Sequence, residues 1–267
     1  MSRENKKANT VWEKVNYLRN TNRFGGEDVL HGITDDFYEL HGDRYYGDDN
    51  AIVGGLASIG GRHVTIIAQS KGKNSRERVS CNYGMPLPEG YRKALRLMKQ
   101  ANKFGRPIVN IIDTPGAYPG IEAEARGQAE AIAQNLYCMS SLKVPIIAII
   151  IGEGGSGGAL AMSVANKIIM LQNAIFSVVS PEGCASILWK DRKLAPKAAE
   201  NLKITAHDLF ALGIVDEIVE EKGTLEYICM SLKKIIVKYL DEYAKMSFES
   251  IYTERYQKYR NIGKKEG

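Results

Sequence analysis

The sequence predicts an α/β protein in which strands and helices alternate along the chain. Residues 107–112 and 144–151 are apolar runs of the length that buried strands have. A helix is predicted to begin at Pro88, since proline is favoured in the first turn, and to end at Gly105. Five glycines within residues 152–158 mark a turn from the second strand into another helix. Alternation of this kind predicts right-handed crossover connections between neighbouring strands.

The other elements are predicted from hydrophobic period, caps and chain breakers. Residues 51–59 and 63–68 are typical of two strands, and Gly60-Gly61 between them predicts a hairpin turn. The remaining elements are, in chain order, a short helix at 12–18, a capped helical turn at 34–40 closed by Gly42, a basic loop at 71–78, a helix with Ile132, Leu136 and Met139 on one face, strands at 167–171 and 175–179, a helix opened by Pro181, a helix capped by Thr205, a strand at 214–219 and an amphipathic helix at 225–243.

The length of 267 residues is close to the upper limit for one hydrophobic core, so we expect one domain with extensions. Residues 1–25 are polar and basic and are predicted to be an N-terminal extension, partly helical or mobile. Residues 26–220 contain the alternating elements of the domain. Residues 221–267 are predicted to be a C-terminal helix followed by a charged, mobile tail.

The composition excludes several classes of protein. Hydrophobic residues make up 44% and charged residues 25%, as in ordinary soluble proteins. No apolar run has the length of a membrane span, and the N-terminus lacks the apolar core of a signal peptide, so we expect a cytoplasmic protein without membrane contact. The four cysteines lack metal-ligand spacing and no histidines pair at helical spacing, so no metal site is predicted. The net charge of +5 permits an acidic partner or a phosphate-bearing ligand.

Residues 152–158 (GEGGSGG) are predicted to hold an anion, or an oxygen that becomes anionic during a reaction. Glycine leaves amides unobstructed, and the first amides of a helix have no partner within it. A dinucleotide site would need an acidic residue about 20 positions further on, but no Asp or Glu lies between Gly154 and Pro181. A phosphate loop would need Lys and then Ser or Thr after the glycines, and these are absent here.

A serine hydrolase remains an alternative interpretation of the same stretch. Gly154-x-Ser156-x-Gly158 matches the nucleophile elbow, which also lies at a strand-to-helix turn. The histidine that this mechanism needs can only be His207, because no other histidine follows in the chain. Ser156 is favoured instead as the N-cap of the helix that follows the glycines.

A second stiff turn, residues 113–120 (DTPGAYPG), follows the strand at 107–112. Its prolines restrict the backbone, whereas Gly116 and Gly120 allow unusual angles. Because consecutive parallel strands end at the same edge of a sheet, we expect the loops around Gly116 and Gly157 to lie together. Backbone amides from both loops would form an oxyanion hole without a catalytic side chain. The alternative interpretation is a turn that only shapes the fold.

Four motifs in one order resemble the α subunits of bacterial acetyl-coenzyme A carboxylase carboxyltransferase. They are residues 89–98 (EGYRKALRLM), 113–120, 152–160 and 180–190 (SPEGCASILWK). The likeness extends from about residue 30 to about residue 219. It implies a crotonase-like (ClpP-type) ββα superhelix, formed as a single domain at residues 26–220 with helical extensions.

The resemblance also implies an activity and its partners. Such a subunit transfers a carboxyl group from carboxybiotin, carried on a biotin carboxyl carrier protein, to acetyl-CoA, giving malonyl-CoA for fatty acid synthesis. It acts in an α2β2 heterotetramer with a β subunit of similar fold, which carries the zinc ribbon and a second oxyanion hole. The ATP of the overall reaction is spent by a separate biotin carboxylase.

The resemblance implies roles for particular residues. The amides of the two loops would hold the ureido oxygen of biotin, and a biotin nitrogen would remove the acetyl proton, so no protein base is required. The amide donors predicted on this basis are Gly157, Gly158, Gly116 and Ala117, and the predicted substrate-binding residues are Gly154, Gly155, Tyr118, Lys71, Lys73 and Arg76.

Two further alternatives remain open. A crotonase-type acyl-CoA hydratase or isomerase would share the fold, but it needs a pair of carboxylates above the oxyanion hole, and the sequence does not identify one. A nucleic-acid-binding protein would use the basic residues 71–78 and would bind with a steep dependence on salt. Such a protein would have no need for the two glycine turns.

Overall fold

A mixed sheet forms the centre of the protein. The computed structural model describes residues 10–20 and 23–264. The strands found there are β1 (Asp36–Glu39), β2 (Ile52–Ile59), β3 (Arg62–Gln69), β4 (Ile108–Thr114), β5 (Ile146–Gly155), β6 (Lys167–Leu171), β7 (Ile175–Ser177) and β8 (Glu217–Val219). They are ordered β1-β2-β3-β4-β5-β6-β8, and β7 pairs with the end of β5. The β1–β2 and β2–β3 pairs are antiparallel, and the other pairs are parallel.

Helices connect and cover the strands, which confirms the predicted α/β class. They are α1 (Val11–Leu18), α2 (Gly26–Ile33), α3 (Ser75–Ser80), α4 (Pro88–Lys103), α5 (Ile121–Ala125), α6 (Gln128–Ser141), α7 (Ser156–Ser163), α8 (Pro181–Trp189), α9 (Ala195–Asn201), α10 (Ala206–Ala211), α11 (Leu225–Tyr243) and α12 (Phe248–Asn261). Short 3₁₀ turns occur at Asn82–Gly84 and Arg192–Leu194. No helix in the described part of the chain is both long and apolar enough to cross a bilayer.

The buried centre of the sheet consists of β4 and β5. Every residue of β4 and nine of the ten residues of β5 are buried, as expected for parallel strands that are covered on both faces. The two strands pair in parallel from Ile108 opposite Ile146. Because they run in the same direction, their carboxyl ends reach the same edge of the sheet.

The N-terminal part of the domain differs from its prediction in one element. The hairpin is confirmed, with Ile59 opposite Arg62 and positive φ angles at Gly60 and Gly61. The helical turn predicted at 34–40 is wrong, because α2 ends at Ile33 and residues 36–39 form the edge strand β1. The N-cap of α2 is a glycine, so the usual polar cap that signals a helix start is missing.

The basic segment at residues 71–78 is only partly a loop. Asn74 accepts a hydrogen bond from the Glu77 amide and caps helix α3, so the second half of this segment and the two residues after it are helical. The six residues of α3 are too few to show a helical period in the sequence.

The charged C-terminal segment is also ordered, and the expectation of a mobile tail is wrong for residues up to 264. Helix α12 follows a serine cap at Ser247 and buries the guanidinium of Arg255. Arg255 donates to the carbonyl oxygens of Leu142 and Val144 and to Asn166 Oδ1. Burial lowers the pKa of Arg255 to about 10, and these acceptors offset the loss of solvent around its charge. Helix α12 is therefore anchored beside the start of β5.

We expect Arg255→Met to lower the free energy of unfolding by about 3 kcal/mol, because it leaves buried acceptors without a donor. Gln257→Ala on the exposed face of the same helix is the control, and its effect should stay within about 0.5 kcal/mol. Urea denaturation of both variants measures the difference. Equal effects would show that α12 is not anchored through Arg255.

Candidate active site

The loops around Gly116 and Gly157 meet at the carboxyl edge of β4 and β5, as the sequence predicts. The register brings Thr114 opposite Gly154. A Cβ added to Gly155 would lie 2.1 Å from the Pro115 carbonyl oxygen, and one added to Gly158 would lie 2.6 Å from the Ala117 nitrogen. Both distances are shorter than real Cβ contacts, so the two loops can approach this closely only with glycine at these positions.

The turn itself lies later than predicted. Strand β5 continues through the first glycines to Gly155, and the chain turns at Ser156, whose φ is +51°. Gly152 and Gly154 are strand residues in tight contact with their neighbours, because a Cβ would lie 2.2 Å from Asp113 Oδ1 or 2.8 Å from the Phe176 ring. Close packing therefore accounts for these two glycines, which were predicted to belong to the turn.

The amide donors of the two loops are not equivalent. The Gly116 N–H donates to Thr114 Oγ1 at 3.1 Å, which corrects the prediction that this amide faces a ligand. No described residue accepts a hydrogen bond from the Ala117 N–H. The Gly116 φ of +151° sets the direction of the Ala117 peptide and favours glycine at this position.

On the other side of the contact, the Gly157 and Gly158 amides lie in the first turn of α7. Helix geometry leaves them without partners inside the helix, and the N-cap Gly155 has no side chain to accept them. The helix start also carries partial positive charge. Three amide donors, from Ala117, Gly157 and Gly158, are thus available where the two loops meet.

Gln69 at the end of β3 fixes the start of α7. Its side chain is fully buried, and Nε2 donates to the Gly158 carbonyl at 3.0 Å. Oε1 of the same amide accepts from the Asp113 nitrogen at 3.1 Å. The Asp113 side chain in turn accepts from the Glu153 amide at 3.0 Å. One chain of hydrogen bonds therefore joins β3, β4, β5 and the first turn of α7.

A cluster of charged side chains lies beside this network. Lys71 Nζ lies 2.7 Å from Asp113 Oδ1 and 3.1 Å from Glu153 Oε1, and both carboxylates are over 90% buried. Arg19, the C-cap residue of α1, pairs with Glu153 and with Glu182 of α8. Burial alone would lower the pKa of Lys71, but the two carboxylates outweigh it and raise the pKa. The Lys71 ammonium is therefore engaged in structure rather than free to meet a ligand.

The other predicted cations lie near a separate cavity. Lys73 pairs with Asp28 of α2 at 2.9 Å, and Arg76 is exposed on α3. Lys71 and Lys73 line a cavity of about 480 Å³ with Arg23. None of the four predicted oxyanion-hole residues lines this cavity. This cavity thus contains part of the basic segment without the amide donors.

Tyr118 secures the second loop. Its amide donates to the Pro86 carbonyl at 3.1 Å, and its own carbonyl accepts from Gln128 at 3.0 Å. A hydrogen bond to Glu122 raises the pKa of the Tyr118 phenol. The loop is therefore held from α6 and from the segment before α4, while the Tyr118 ring is half-buried.

The hydrolase constellation is not assembled. Ser156 is the first residue of α7, and the N-cap is Gly155, so the prediction of a Ser156 cap is wrong. The side chain of Ser156 is exposed, and no hydrogen bond joins it to His207, which is exposed on α10. The turn shares with a nucleophile elbow its glycine pattern, its place between a strand and a helix, and the left-handed backbone at Ser156. Among the described residues, no three His, Cys, Asp or Glu side chains are grouped to hold a metal ion.

Sequence reasoning missed Gln69 and Asp113 as site residues. Gln69 is the last residue of β3, and Asp113 is the last but one of β4, at the edge where ligands bind in such sheets. Polar residues at strand ends were therefore an available signal.

Comparison with known proteins gives consistent relatives over nearly the whole chain. The family model described as acetyl co-enzyme A carboxylase carboxyltransferase-like matches residues 1–263. The acetyl-coenzyme A carboxylase carboxyl transferase subunit alpha of Listeria monocytogenes is 55% identical over 259 residues, which is 95% of this chain and 81% of the relative. The subunit of the same name from Staphylococcus aureus is 51% identical over 271 residues, which is 98% of this chain and 86% of the relative.

A solved structure shares the fold. The transcarboxylase 12S chain superposes with a TM-score of 0.70 at 24% identity, over 85% of this chain and 44% of that chain. This likeness confirms the predicted crotonase-like α/β fold.

We expect Gly158→Ala to lower the free energy of unfolding by about 2 kcal/mol, because its Cβ would push the two loops apart. Gly157→Ala is the matched control, since its Cβ would make ordinary contact with Ile132 at 3.7 Å. That change should stay within about 0.5 kcal/mol. Thermal and urea unfolding compare the two variants, and a tolerated alanine at position 158 would contradict the close approach.

Lys71→Met is expected to lower the free energy of unfolding by about 3 kcal/mol at neutral pH, because it leaves the buried Asp113 carboxylate without a cation and leaves Glu153 with Arg19 alone. The control is Lys73→Met, which removes an exposed ion pair and should cost less than about 1 kcal/mol. Urea unfolding at pH 7 measures both. If the two variants unfold alike, Lys71 does not neutralise the cluster.

Proposed function

The chain belongs to the acetyl co-enzyme A carboxylase carboxyltransferase family, and we propose that it works as the α subunit of that carboxyltransferase. In this role it transfers a carboxyl group from carboxybiotin to acetyl-CoA, giving malonyl-CoA for fatty acid synthesis. The biotin is carried on a biotin carboxyl carrier protein, and a separate biotin carboxylase spends the ATP. The α subunit is active in an α2β2 assembly with a β subunit, which supplies the second oxyanion hole.

The observation that carries this proposal is the contact between the two loops, which brings the Ala117 amide beside the first turn of α7. The donors of Ala117, Gly157 and Gly158 are neutral and fixed, and no carboxylate is among them. Such a set suits a carbonyl-type oxygen that gains negative charge, because the donors need no reorganisation when the charge develops. The ureido oxygen of biotin has this chemistry.

Each part of the site then has one task. Carboxybiotin, when bound, would supply the carboxyl group and a ureido nitrogen able to accept the acetyl proton, so this chain would need no general base. The amides of Ala117, Gly157 and Gly158 hold the ureido oxygen. Gly155 provides the close approach of the loops, and Tyr118 holds the second loop beside the bound ring.

The remaining predicted binding residues have supporting or peripheral roles. Gly154 and Lys71 act through packing and charge within the strand ends. Lys73 and Arg76 are exposed cations, and we propose that they contact the phosphates of coenzyme A or the acidic carrier protein.

The direct test uses the chain co-purified with a β subunit of the same enzyme. Malonyl-CoA and biocytin are added, and acetyl-CoA formation is followed, which is the reverse of the proposed transfer. Acetyl-CoA should form only when both subunits and biocytin are present. Formation that does not depend on biocytin would point to a decarboxylase instead.

Ser156→Ala should keep most of this activity, because the hydroxyl makes no hydrogen bond with any described residue and the α7 amides remain. Gly158→Ala should lower kcat by about a hundredfold or more, in the range of losing one oxyanion donor. Both kcat values are measured with malonyl-CoA and biocytin. Loss of all activity in Ser156→Ala would instead show that the transfer depends on the serine hydroxyl.

A further inference from the structure

The hydroxyl of Tyr91 lies where the two donor loops touch. Tyr91 is in the first turns of α4 and is fully buried, packed with Ala131 and Ala161. Its oxygen lies 2.8 Å from the position that a Cβ on Gly158 would take. The Ala117 nitrogen lies 2.6 Å from the same position. The hydroxyl therefore lies beside both the start of α7 and the Gly116–Ala117 peptide.

This hydroxyl has no hydrogen-bond partner among the described residues. A buried hydroxyl without a partner destabilises a fold, and phenylalanine would fill the same space without that penalty. Burial also raises the pKa of Tyr91 well above its ordinary value, so the group keeps its proton. Fold stability thus does not explain why the ring carries an oxygen here.

Tyr259 on α12 shows the contrasting case of a hydroxyl that the fold uses. Its oxygen donates to the Ser163 carbonyl at 3.0 Å and accepts from the Ala165 amide at 2.9 Å. Both hydrogen bonds form because α12 packs against the C-terminal end of α7. The Tyr91 hydroxyl has neither kind of partner.

We propose that Tyr91 is a positioning residue for the carboxyl-transfer site, whose hydroxyl sets the separation between Gly158 and the Ala117 peptide. This inference rests on the proposed function, because the separation matters only if the amides of both loops hold one oxygen. The hydroxyl blocks closer approach of the loops, and its free O–H dipole lies at the same junction. Without it the loops can shift, and misplacement by about 1 Å can cost up to a hundredfold in rate.

The test compares Tyr91→Phe with Tyr259→Phe in the co-purified α and β subunits, with malonyl-CoA and biocytin as substrates. Tyr91→Phe should lower kcat by about tenfold or more, leave KM for malonyl-CoA within about twofold, and leave the thermal midpoint unchanged or higher. Tyr259→Phe should lower the thermal midpoint through its two lost hydrogen bonds and keep kcat.

The outcomes separate the inference from the proposed function. Wild-type kcat in Tyr91→Phe would overturn the inference while leaving the function intact. A joint fall of kcat and the thermal midpoint in Tyr91→Phe would also overturn it, because Tyr91 would then support the fold in general. If the wild-type pair itself forms no acetyl-CoA, the proposed function fails, and the inference fails with it.

Discussion

The site depends on the approach of one α-carbon to one peptide. Gly158 lies so close to the Gly116–Ala117 peptide that no side chain fits between them. This contact brings the start of α7 beside a loop from a different strand, and it makes amides from both segments neighbours. Neither segment alone offers this arrangement, since a helix start provides donors from one direction only.

The strand ends around the contact are held by polar side chains rather than by apolar packing alone. Gln69 links the Gly158 carbonyl to the Asp113 backbone, and Asp113 and Glu153 share the Lys71 ammonium. Arg19 extends this set of charges to the N-terminal helix α1. Buried polar networks of this kind stabilise only when each member is satisfied, so the positions of β3, β4 and β5 become interdependent.

The sequence predicted the parts of the fold whose signals are local and strong. Apolar runs located β4 and β5, Pro88 located the start of α4, and the topology rule for parallel strands brought the two loops together. The sequence did not predict the elements whose signal is weak or depends on residues far away in the chain. Helix α2 begins at a glycine, α3 is shorter than two turns, and α12 is docked by Arg255, whose acceptors lie about a hundred residues earlier in the chain. The inward turn of the Gly116 amide depends on the rotamer of Thr114, which no sequence pattern encodes.

The glycine content of residues 152–158 has an energetic consequence for the site. Glycine loses more conformational entropy on folding than other residues, at roughly 0.5–1 kcal/mol each relative to alanine. Five glycines in seven residues therefore make this stretch intrinsically weak. Pairing with β4 and β7 compensates the strand portion, but the first turn of α7 lies beyond that pairing. The donor amides are thus held in place by neighbouring residues. Heating should therefore disorder them before the sheet unfolds.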